Sequence, residues 1–313
     1  MRLVLFAMSG ARPKPGAMVQ SGVVDLSHLI PAGETAQLTM QALMAEFDSR
    51  RSRLEEAQRN GEVIPFDRIR LLPPLPRPGK IACCIGNYWE HARRDPTPLN
   101  MFLKNPDAVI GPGDTIELPN FTEPWIFMHE AELAIVLRGP SKAIPADRWR
   151  DAVFGYTCFI DVSARGEGRY TWKKGSWMGK SFDTFAPLGP CILTADEVAE
   201  PNDLHVRFWN DGQLRHDYNT NDMEHRVPEI IEFASTIMTL HSGDIIACGT
   251  NHEGLGPLQD GERVEIEIQG IGRMALSVAD PLKRTWDKGI YMGKDSTNHE
   301  AIRAHRDAPS QSR

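Results

Sequence analysis

The segment HEAELAIV, residues 129–136, places two carboxylates inside a stretch that otherwise predicts a buried β-strand. Side chains alternate between the two faces of a strand, so Glu130 and Glu132 share one face with Ala134 and Val136. Two strand rises of about 3.3 Å would put the carboxylates roughly 7 Å apart. Like charges at that separation repel each other unless a cation lies between them. The segment therefore predicts a buried strand whose two carboxylates need a positively charged partner.

A third acidic residue, Asp161, stands at the end of another apolar strand, in the sequence CFIDVSARG. Three carboxylates that rise from strands, without a His or Cys cluster, suit a hard cation, so magnesium, manganese or calcium is favoured over zinc. Three protein ligands would leave positions open for water and substrate, as a catalytic metal requires. Acidic residues in strands are also often solvated, so spacing alone leaves a metal site and a solvated acidic face as interpretations.

Composition limits the class of protein. The chain has 313 residues, 41% hydrophobic and 25% charged, which is ordinary for a globular protein with a sizeable core. A net charge of -7 gives no reason to expect nucleic acid or an anionic membrane as a partner. No apolar run approaches the roughly 20 residues that span a bilayer, and the N-terminus predicts a β-strand rather than a signal peptide. Five cysteines without metal-ligand spacing predict buried free thiols, and a cytoplasmic location is expected.

Strand signals dominate the chain and do not alternate regularly with helices, so a doubly wound parallel sheet is not expected. Residues 1–75 predict a small N-terminal β/α module, and the proline-rich LLPPLPRPG (71–79) predicts an extended linker. A main domain of short strands is expected over residues 78–280. The polar tail, residues 281–313, is expected to be loosely ordered.

A few local elements can be predicted within this plan. Apolar spacing predicts a helix over residues 39–60 and another over 227–240, where Pro228 stands near the first turn. A short helical stretch is expected around residues 88–94. Asp211-Gly212 predicts a tight hairpin turn.

A series of motifs resembles the fumarylacetoacetate hydrolase family over about residues 78–280. The E-x-E pair, together with the strand that ends in DVSAR, is specific to that family. The resemblance implies an α+β fold, namely a mixed β-roll of largely antiparallel strands with peripheral helices and a common N-terminal module. It also implies a homodimer. The matching sequences are IGNYWEH, MFLKNPDAVIGPGDTIELP, HEAELAIVLRG, GYTCFIDVSAR, GKSFDTFAPLGP, SGDIIACGT and GERVEIEIQGIG.

The resemblance assigns roles to individual residues. It implies that Glu130, Glu132 and Asp161 bind one divalent cation, magnesium first, with manganese or calcium as alternatives. Substrates of the family carry adjacent carboxylate and carbonyl oxygens, and the cation stabilises the enolate formed when a C–C bond breaks or a proton moves. The other implied residues are His91 as general base, Arg165 and Lys180 beside the substrate and its oxyanion, Thr250 and Tyr88 as substrate-binding residues, and Lys104 in a more structural role.

The acid–base part of the site departs from the family pattern. Members that hydrolyse or decarboxylate usually have a glutamate three residues after the histidine, and Arg94 stands at that position here. Glu90 and Asp95 are nearby carboxylates, but neither has the same helical offset. GTNHEGLG replaces the commoner GT-P-S-G sequence and puts His252 and Glu253 on a predicted pocket-edge loop. That pair is either solvated or the missing polar partner for catalysis.

Three functions therefore remain open, and the first two use a small-molecule oxo acid. The first is a metal-dependent hydrolase that cleaves a C–C bond in a β-diketo acid or acylpyruvate, with water activated by His91. The second is a tautomerase, isomerase or decarboxylase of 2-oxo acids, which needs no attacking water and is less affected by Arg94. The third is a non-catalytic metal-binding scaffold. Hydrolysis ranks first because it is the commonest activity among close family patterns.

Overall fold

The computed structural model of the chain describes residues 1–90, 92, 94–120, 125–166 and 178–288. It consists mainly of strands, with two α-helices, α1 (Ala36–Asn60) and α2 (Val227–Ile237), among the described residues. The strands are β1 (Arg2–Ala7), β2 (Lys14–Val19), β3 (Gly22–Asp25), β4 (Val63–Pro65), β5 (Arg70–Leu72), β6 (Ile81–Cys84), β7 (Met101–Lys104), β8 (Val109–Ile110), β9 (Thr115–Glu117), β10 (Trp125–Met128), β11 (Ala131–Leu137), β12 (Val153–Ile160), β13 (Ser163–Gly166), β14 (Ala186–Thr194), β15 (His205–Asn210), β16 (Gln213–Asn219), β17 (Ile245–Ala247), β18 (Arg263–Ile268) and β19 (Gly272–Ala279).

The strands form one large sheet and two smaller ones. The twelve-stranded sheet has the order β4-β3-β2-β1-β14-β12-β11-β17-β6-β7, with β5 paired to β1 and β8 paired to β14. A second sheet has the order β16-β15-β18-β19-β9, and β10 pairs with β13 alone. Most pairs are antiparallel, while β8/β14, β6/β17 and β9/β19 are parallel. This is the mixed, largely antiparallel arrangement that the family resemblance implies.

Both faces of the large sheet are covered, which explains why β11, β12 and β14 are buried along their whole length. Successive residues of β11 enter different hydrophobic clusters, as strand alternation requires. Leu133 packs in the cluster that contains Phe208 of the second sheet, whereas Val136 packs with Phe47 of α1. The central strands therefore lie between α1 and the second sheet, and their ends carry the candidate site.

The N-terminal residues continue the large sheet. Strand β1 pairs with β14 antiparallel, with Leu3 opposite Ile192. Helix α1 begins after Thr35, whose hydroxyl accepts a hydrogen bond from the Leu38 amide at 3.2 Å. The boundary near residue 75 stays a prediction, and it falls in a region whose strands are continuous with the main sheet.

The local predictions have different outcomes. Helices α1 and α2 confirm both predicted helices, with α1 starting three residues earlier and α2 ending three residues earlier than expected. Asp211 and Gly212 both have positive φ and join β15 to β16, as a tight hairpin turn requires. The helical stretch expected near residue 88 is wrong for Tyr88, which forms a β-bridge with Met223, and for Glu90, whose φ is 48°.

Other expectations concern exposure and the chain end. All five cysteines are buried and free, as expected. Among the described residues, no helix has the length and apolarity needed to cross a bilayer. Most of the predicted polar tail, residues 289–313, lies outside the described part of the chain.

Candidate metal centre

Three buried carboxylates meet where β11 begins and β12 ends. Glu132 belongs to β11, Glu130 immediately precedes that strand, and Asp161 immediately follows β12. Because the two strands pair with Ala131 opposite Ile160, Glu130 and Asp161 are neighbours, and the Asp161 amide donates to the Glu130 carbonyl at 2.8 Å. One carboxylate oxygen from each of the three residues lies within 4.8 Å of the other two. The structure thus brings together all three predicted metal ligands.

Three buried cationic side chains face these carboxylates. Lys180 donates to Glu130 Oε2 at 2.7 Å and to Asp161 Oδ2 at 2.6 Å, so its ammonium group lies between two of the acids. Arg165, in β13, donates to Glu130 Oε1 at 2.7 Å. Lys104, at the end of β7, forms an ion pair with Asp161. Lys104 therefore belongs to this cluster, which the sequence alone did not indicate.

Glu132 differs from the other two carboxylates in its partners. Among the described residues it accepts a hydrogen bond from the Gly249 amide at 2.7 Å and forms no ion pair. Burial, followed by the charges of Asp161 and Glu130, raises the pKa of Glu132 well above its usual range. One position of the triad therefore lacks a positive charge.

Glu130 shows the opposite electrostatic behaviour. Burial opposes its ionisation, but the charges of Lys180, Arg165 and His252 outweigh burial and hold its pKa well below the usual range. The pKa of Lys180 is raised, because the charges of Asp161 and Glu130 outweigh the effect of its burial. The contact between Glu130 and Lys180 therefore favours the ionised carboxylate and the protonated amine, although both side chains are buried.

These residues fit a hard divalent cation. Three carboxylate oxygens converge, and one of the carboxylates has no cationic partner in the described part of the chain. Magnesium and manganese both accept such oxygen ligands. When all three carboxylates are ionised, they balance the three cationic side chains that face them in the described part of the chain, so a bound divalent ion would leave two excess positive charges.

The two predicted substrate-binding residues lie beside this cluster. Thr250 is buried and follows Gly249, the residue that contacts Glu132. Tyr88 is buried too, and its ring meets the ring of Tyr218 edge-to-face, with the centroids 5.1 Å apart. Tyr218 donates from its hydroxyl to the carbonyl of Ala131, the residue between Glu130 and Glu132. Its role could not be found from sequence, since it stands in an ordinary alternating strand.

The acid–base residues are arranged differently from the family pattern. His91 lies outside the described residues. Arg94 donates to both carboxylate oxygens of Glu224, at 2.9 and 2.6 Å, so it forms a structural ion pair at this position. His252 Nδ1 lies 2.6 Å from Glu90 Oε1, and the His252 amide donates to the same oxygen at 2.8 Å. The structure therefore pairs His252 with Glu90, whereas the sequence pattern groups His252 with Glu253.

The fold and the triad define a class: β-roll proteins that carry a buried platform of three carboxylates for a divalent cation. The chain belongs to the fumarylacetoacetate hydrolase family, because residues 80–279 match the family described as "Fumarylacetoacetate (FAA) hydrolase C-terminal". The predicted family is confirmed, and so is the predicted fold class.

Relatives in this family include different enzymes. A mitochondrial oxaloacetate tautomerase of Xenopus laevis is 33% identical over 299 residues, which are 89% of this chain and 90% of the relative. A maleylpyruvate hydrolase of Aquipseudomonas alcaligenes is 30% identical over 272 residues, which are 82% and 92% of the two chains. The crystal structure of a maleylpyruvate hydrolase from Sphingobium sp. SYK-6, in complex with manganese (II) and pyruvate, superposes with a TM-score of 0.79 at 34% identity. That comparison covers 90% of this chain and 99% of the other.

Proposed function

We propose that this protein is a divalent-metal-dependent hydrolase that cleaves a C–C bond in an acylpyruvate or a related β-diketo acid. The observation that carries the proposal is the buried triad, in which Glu132 has no cationic partner among the described residues. The manganese and pyruvate in the related crystal structure support the same assignment. Magnesium is the proposed physiological ion, and manganese and calcium are the alternatives.

The charge of the pocket favours an anionic substrate. With a divalent ion on Glu130, Glu132 and Asp161, the three carboxylates no longer balance the charge of Lys104, Lys180 and Arg165. Two negative charges restore the balance, and an acylpyruvate supplies them as its carboxylate and its enolate oxygen. When bound, the ion polarises the carbonyl beside the carboxylate.

The chain's own residues would bind the substrate and stabilise its charge. Thr250 binds the carboxylate, while Lys180 and Arg165 donate to the oxygen on which negative charge develops. Both cations are buried and already fixed by ion pairs, so little reorganisation is needed during the reaction. Hydrogen-bond donors arranged in this way are worth about 3–4 kcal/mol each in other enzymes.

The proposed reaction consumes one water molecule. A general base, assigned by the family resemblance to His91, takes a proton from water while the water oxygen attacks the carbonyl distal to the carboxylate. The bond between that carbonyl carbon and the methylene group then breaks, and its electron pair remains with the pyruvyl unit as an enolate. Return of the proton to the methylene carbon gives pyruvate, and the other product is a carboxylic acid.

A second candidate is a tautomerase, isomerase or decarboxylase of 2-oxo acids. Arg94 favours the tautomerase and isomerase within this candidate, because it is paired with Glu224 where hydrolysing and decarboxylating members usually have a glutamate. The tautomerase relative, similar over 90% of its length, supports it too. This chemistry moves a proton or releases carbon dioxide without an attacking water.

The experiment incubates the protein with magnesium or manganese and a panel of acylpyruvates, fumarylpyruvate and oxaloacetate, followed by NMR in deuterated water. Hydrolysis predicts paired cleavage products that are lost with Glu132→Ala. Metal-dependent deuterium exchange or decarboxylation without paired products would instead establish the second candidate. A protein that binds metal and does neither with any panel member would contradict both. The homodimer and the cytoplasmic location stay predictions, tested by light scattering and by fractionation.

A further inference from the structure

The loop GTNHEGLG carries a histidine whose ring is held by a buried carboxylate. His252 Nδ1 lies 2.6 Å from Glu90 Oε1, and the His252 amide donates to the same oxygen at 2.8 Å. The Glu90 side chain is 1% exposed and that of His252 15% exposed. Glu90 Oε2 is buried without a hydrogen-bond partner in the described part of the chain. In the described part of the chain, the buried Glu90 carboxylate therefore contacts one imidazole, that of His252.

This contact bears on the tautomer of the imidazole. Glu90 Oε1 already accepts the His252 amide, and it accepts a second hydrogen bond from the ring when Nδ1 carries the proton. Nε2 is then the basic nitrogen in the neutral ring, and it has no hydrogen-bond partner among the described residues. A ring with this tautomer, held from behind by a carboxylate, is the arrangement of a general base.

The histidine lies on the loop that leaves the metal centre. Gly249 donates from its amide to Glu132 Oε2 at 2.7 Å, and His252 is three residues further along. Three residues of extended chain span at most about 11 Å. Gly249 has a φ of 87°, and a Cβ at this position would lie 3.2 Å from the Asn87 side chain, so the loop turns sharply beside the segment that carries Glu90.

Several hydrogen bonds hold the two segments in register. Asn87 donates to the Cys248 carbonyl at 2.9 Å. Asp222 accepts from the Glu90 amide and from the Asn251 side chain, both at 3.2 Å, and so ties Glu90 to the loop. Glu90 itself has a φ of 48°, a left-handed conformation that is strained for a residue other than glycine. Strain of this kind persists where surrounding contacts enforce it, often at functional sites.

We propose that His252, oriented by Glu90, is the proton-transfer residue of this site. The proposal rests on the proposed function and assigns the base within it to His252 instead of His91. Nε2 takes the proton from water as the water oxygen bonds to the distal carbonyl carbon, and Glu90 stabilises the imidazolium. Once the C–C bond has broken, Nε2 returns that proton to the methylene carbon of the pyruvyl enolate.

The test compares three variants of the manganese-loaded protein, His252→Gln, Glu90→Gln and His91→Gln. The substrate is the acylpyruvate 2,4-dioxopentanoate, and the products to be measured are acetate and pyruvate. His205→Gln is the matched control, because His205 also pairs with a carboxylate, Asp217, but on exposed strands. Manganese affinity is measured for each variant by calorimetry. We expect kcat to fall about 10²–10⁴-fold in His252→Gln, with manganese affinity and KM nearly unchanged.

Glu90 is a positioning residue, so its variant needs a different readout. Glu90→Gln should lower kcat about 10–100-fold. It should also shift the acidic limb of the kcat/KM pH profile to lower pH, because glutamine cannot stabilise the imidazolium. Independently of turnover, long-range ¹H–¹⁵N NMR of the wild-type imidazole should show Nδ1 protonated and Nε2 unprotonated at pH 8. A purely structural role for Glu90 would leave the pH profile in place.

The outcomes separate this proposal from the proposed function. If the wild type turns over, Glu132→Ala does not, and His252→Gln keeps kcat within threefold, the proposal is overturned while the proposed function stands. A loss in His91→Gln that exceeds the loss in His252→Gln also overturns it. If the wild type shows no turnover of 2,4-dioxopentanoate or of the wider panel, the proposed function and the proton-transfer role fall together. An imidazole protonated at Nε2 in the NMR spectrum would by itself refute the orientation by Glu90.

Discussion

Replacement of Glu132 by glutamine should affect stability in opposite directions without and with a divalent cation. Burial and the charges of Asp161 and Glu130 raise the pKa of Glu132 well above its usual range, so the native protein keeps a proton that the unfolded chain has released. The free energy of unfolding therefore falls as pH rises above the ordinary glutamate pKa of about 4.3. The loss is up to about 1.4 kcal/mol per pH unit until the native carboxyl ionises.

Glutamine has nearly the same shape and no proton to lose, and its carbonyl can still accept the Gly249 amide at the site of the present 2.7 Å contact. In EDTA at pH 8 we expect Glu132→Gln to be more stable than the wild type by about 1–3 kcal/mol. With manganese at 100 times the wild-type Kd, the wild type should gain about 2.7 kcal/mol. A variant that binds manganese at least tenfold more weakly should gain at least about 1.3 kcal/mol less at the same manganese concentration.

Urea unfolding between pH 5 and pH 8, in EDTA and in manganese, measures both effects. Glu262→Gln is the matched control, because Glu262 is also buried but has a cationic partner, Lys288, at 2.9 Å. That variant should be destabilised and should respond to manganese as the wild type does. A Glu132→Gln protein that is less stable than the wild type in EDTA at pH 8, or that gains as much from manganese, would refute the reasoning.

Three further predictions concern neighbouring groups. Lys180→Met should bind manganese at least about tenfold more tightly than the wild type, because the substitution removes an ammonium group that competes with the ion. The same variant should lose turnover. Calorimetry measures the affinity and product assays measure turnover, and weaker manganese binding would contradict the prediction. Arg94→Ala should lower the free energy of unfolding by about 1–3 kcal/mol, since it leaves the buried Glu224 carboxylate without its ion pair. Urea unfolding measures this change, and a variant as stable as the wild type would contradict the prediction. Burial lowers the pKa of His216 to about 3, so between about pH 6.5 and pH 3 the unfolded state binds this proton and the native state does not. The free energy of unfolding therefore decreases as the pH is lowered, by up to about 1.4 kcal/mol per pH unit. His216→Gln should reduce that acid-induced loss in urea unfolding between pH 7 and pH 4, and a loss equal to that of the wild type would contradict the assignment.

Sequence alone could predict the part of the site that depends on local geometry. Alternation placed Glu130 and Glu132 on one side of a strand, and the strand end at Asp161 supplied the third carboxylate. The antiparallel pairing of β11 with β12 then brings these residues together, because the beginning of β11 lies beside the end of β12. Glu130 lies just outside the strand, yet it keeps the position that alternation predicts.

The remaining contacts depend on strand order, which no local pattern encodes. Lys104 reaches Asp161 from β7, at the edge of the large sheet and 57 residues away in sequence. His252 and Glu90 are separated by 162 residues and meet only because their two loops are hydrogen-bonded to each other. From the sequence, Glu90 is judged as a partner for a histidine by its spacing along a helix. That criterion is wrong, because Glu90 adopts a left-handed backbone conformation instead of a helical one.

The central claim is that Glu130, Glu132 and Asp161 hold a divalent cation on which a 2-oxo acid binds. The most direct measurement is a manganese anomalous difference map from crystals grown with manganese and pyruvate. A single strong peak among the three carboxylates, with pyruvate oxygens beside it, is the predicted result. A map that shows manganese only at other positions, with the Lys180 ammonium still between Glu130 and Asp161, would contradict the claim.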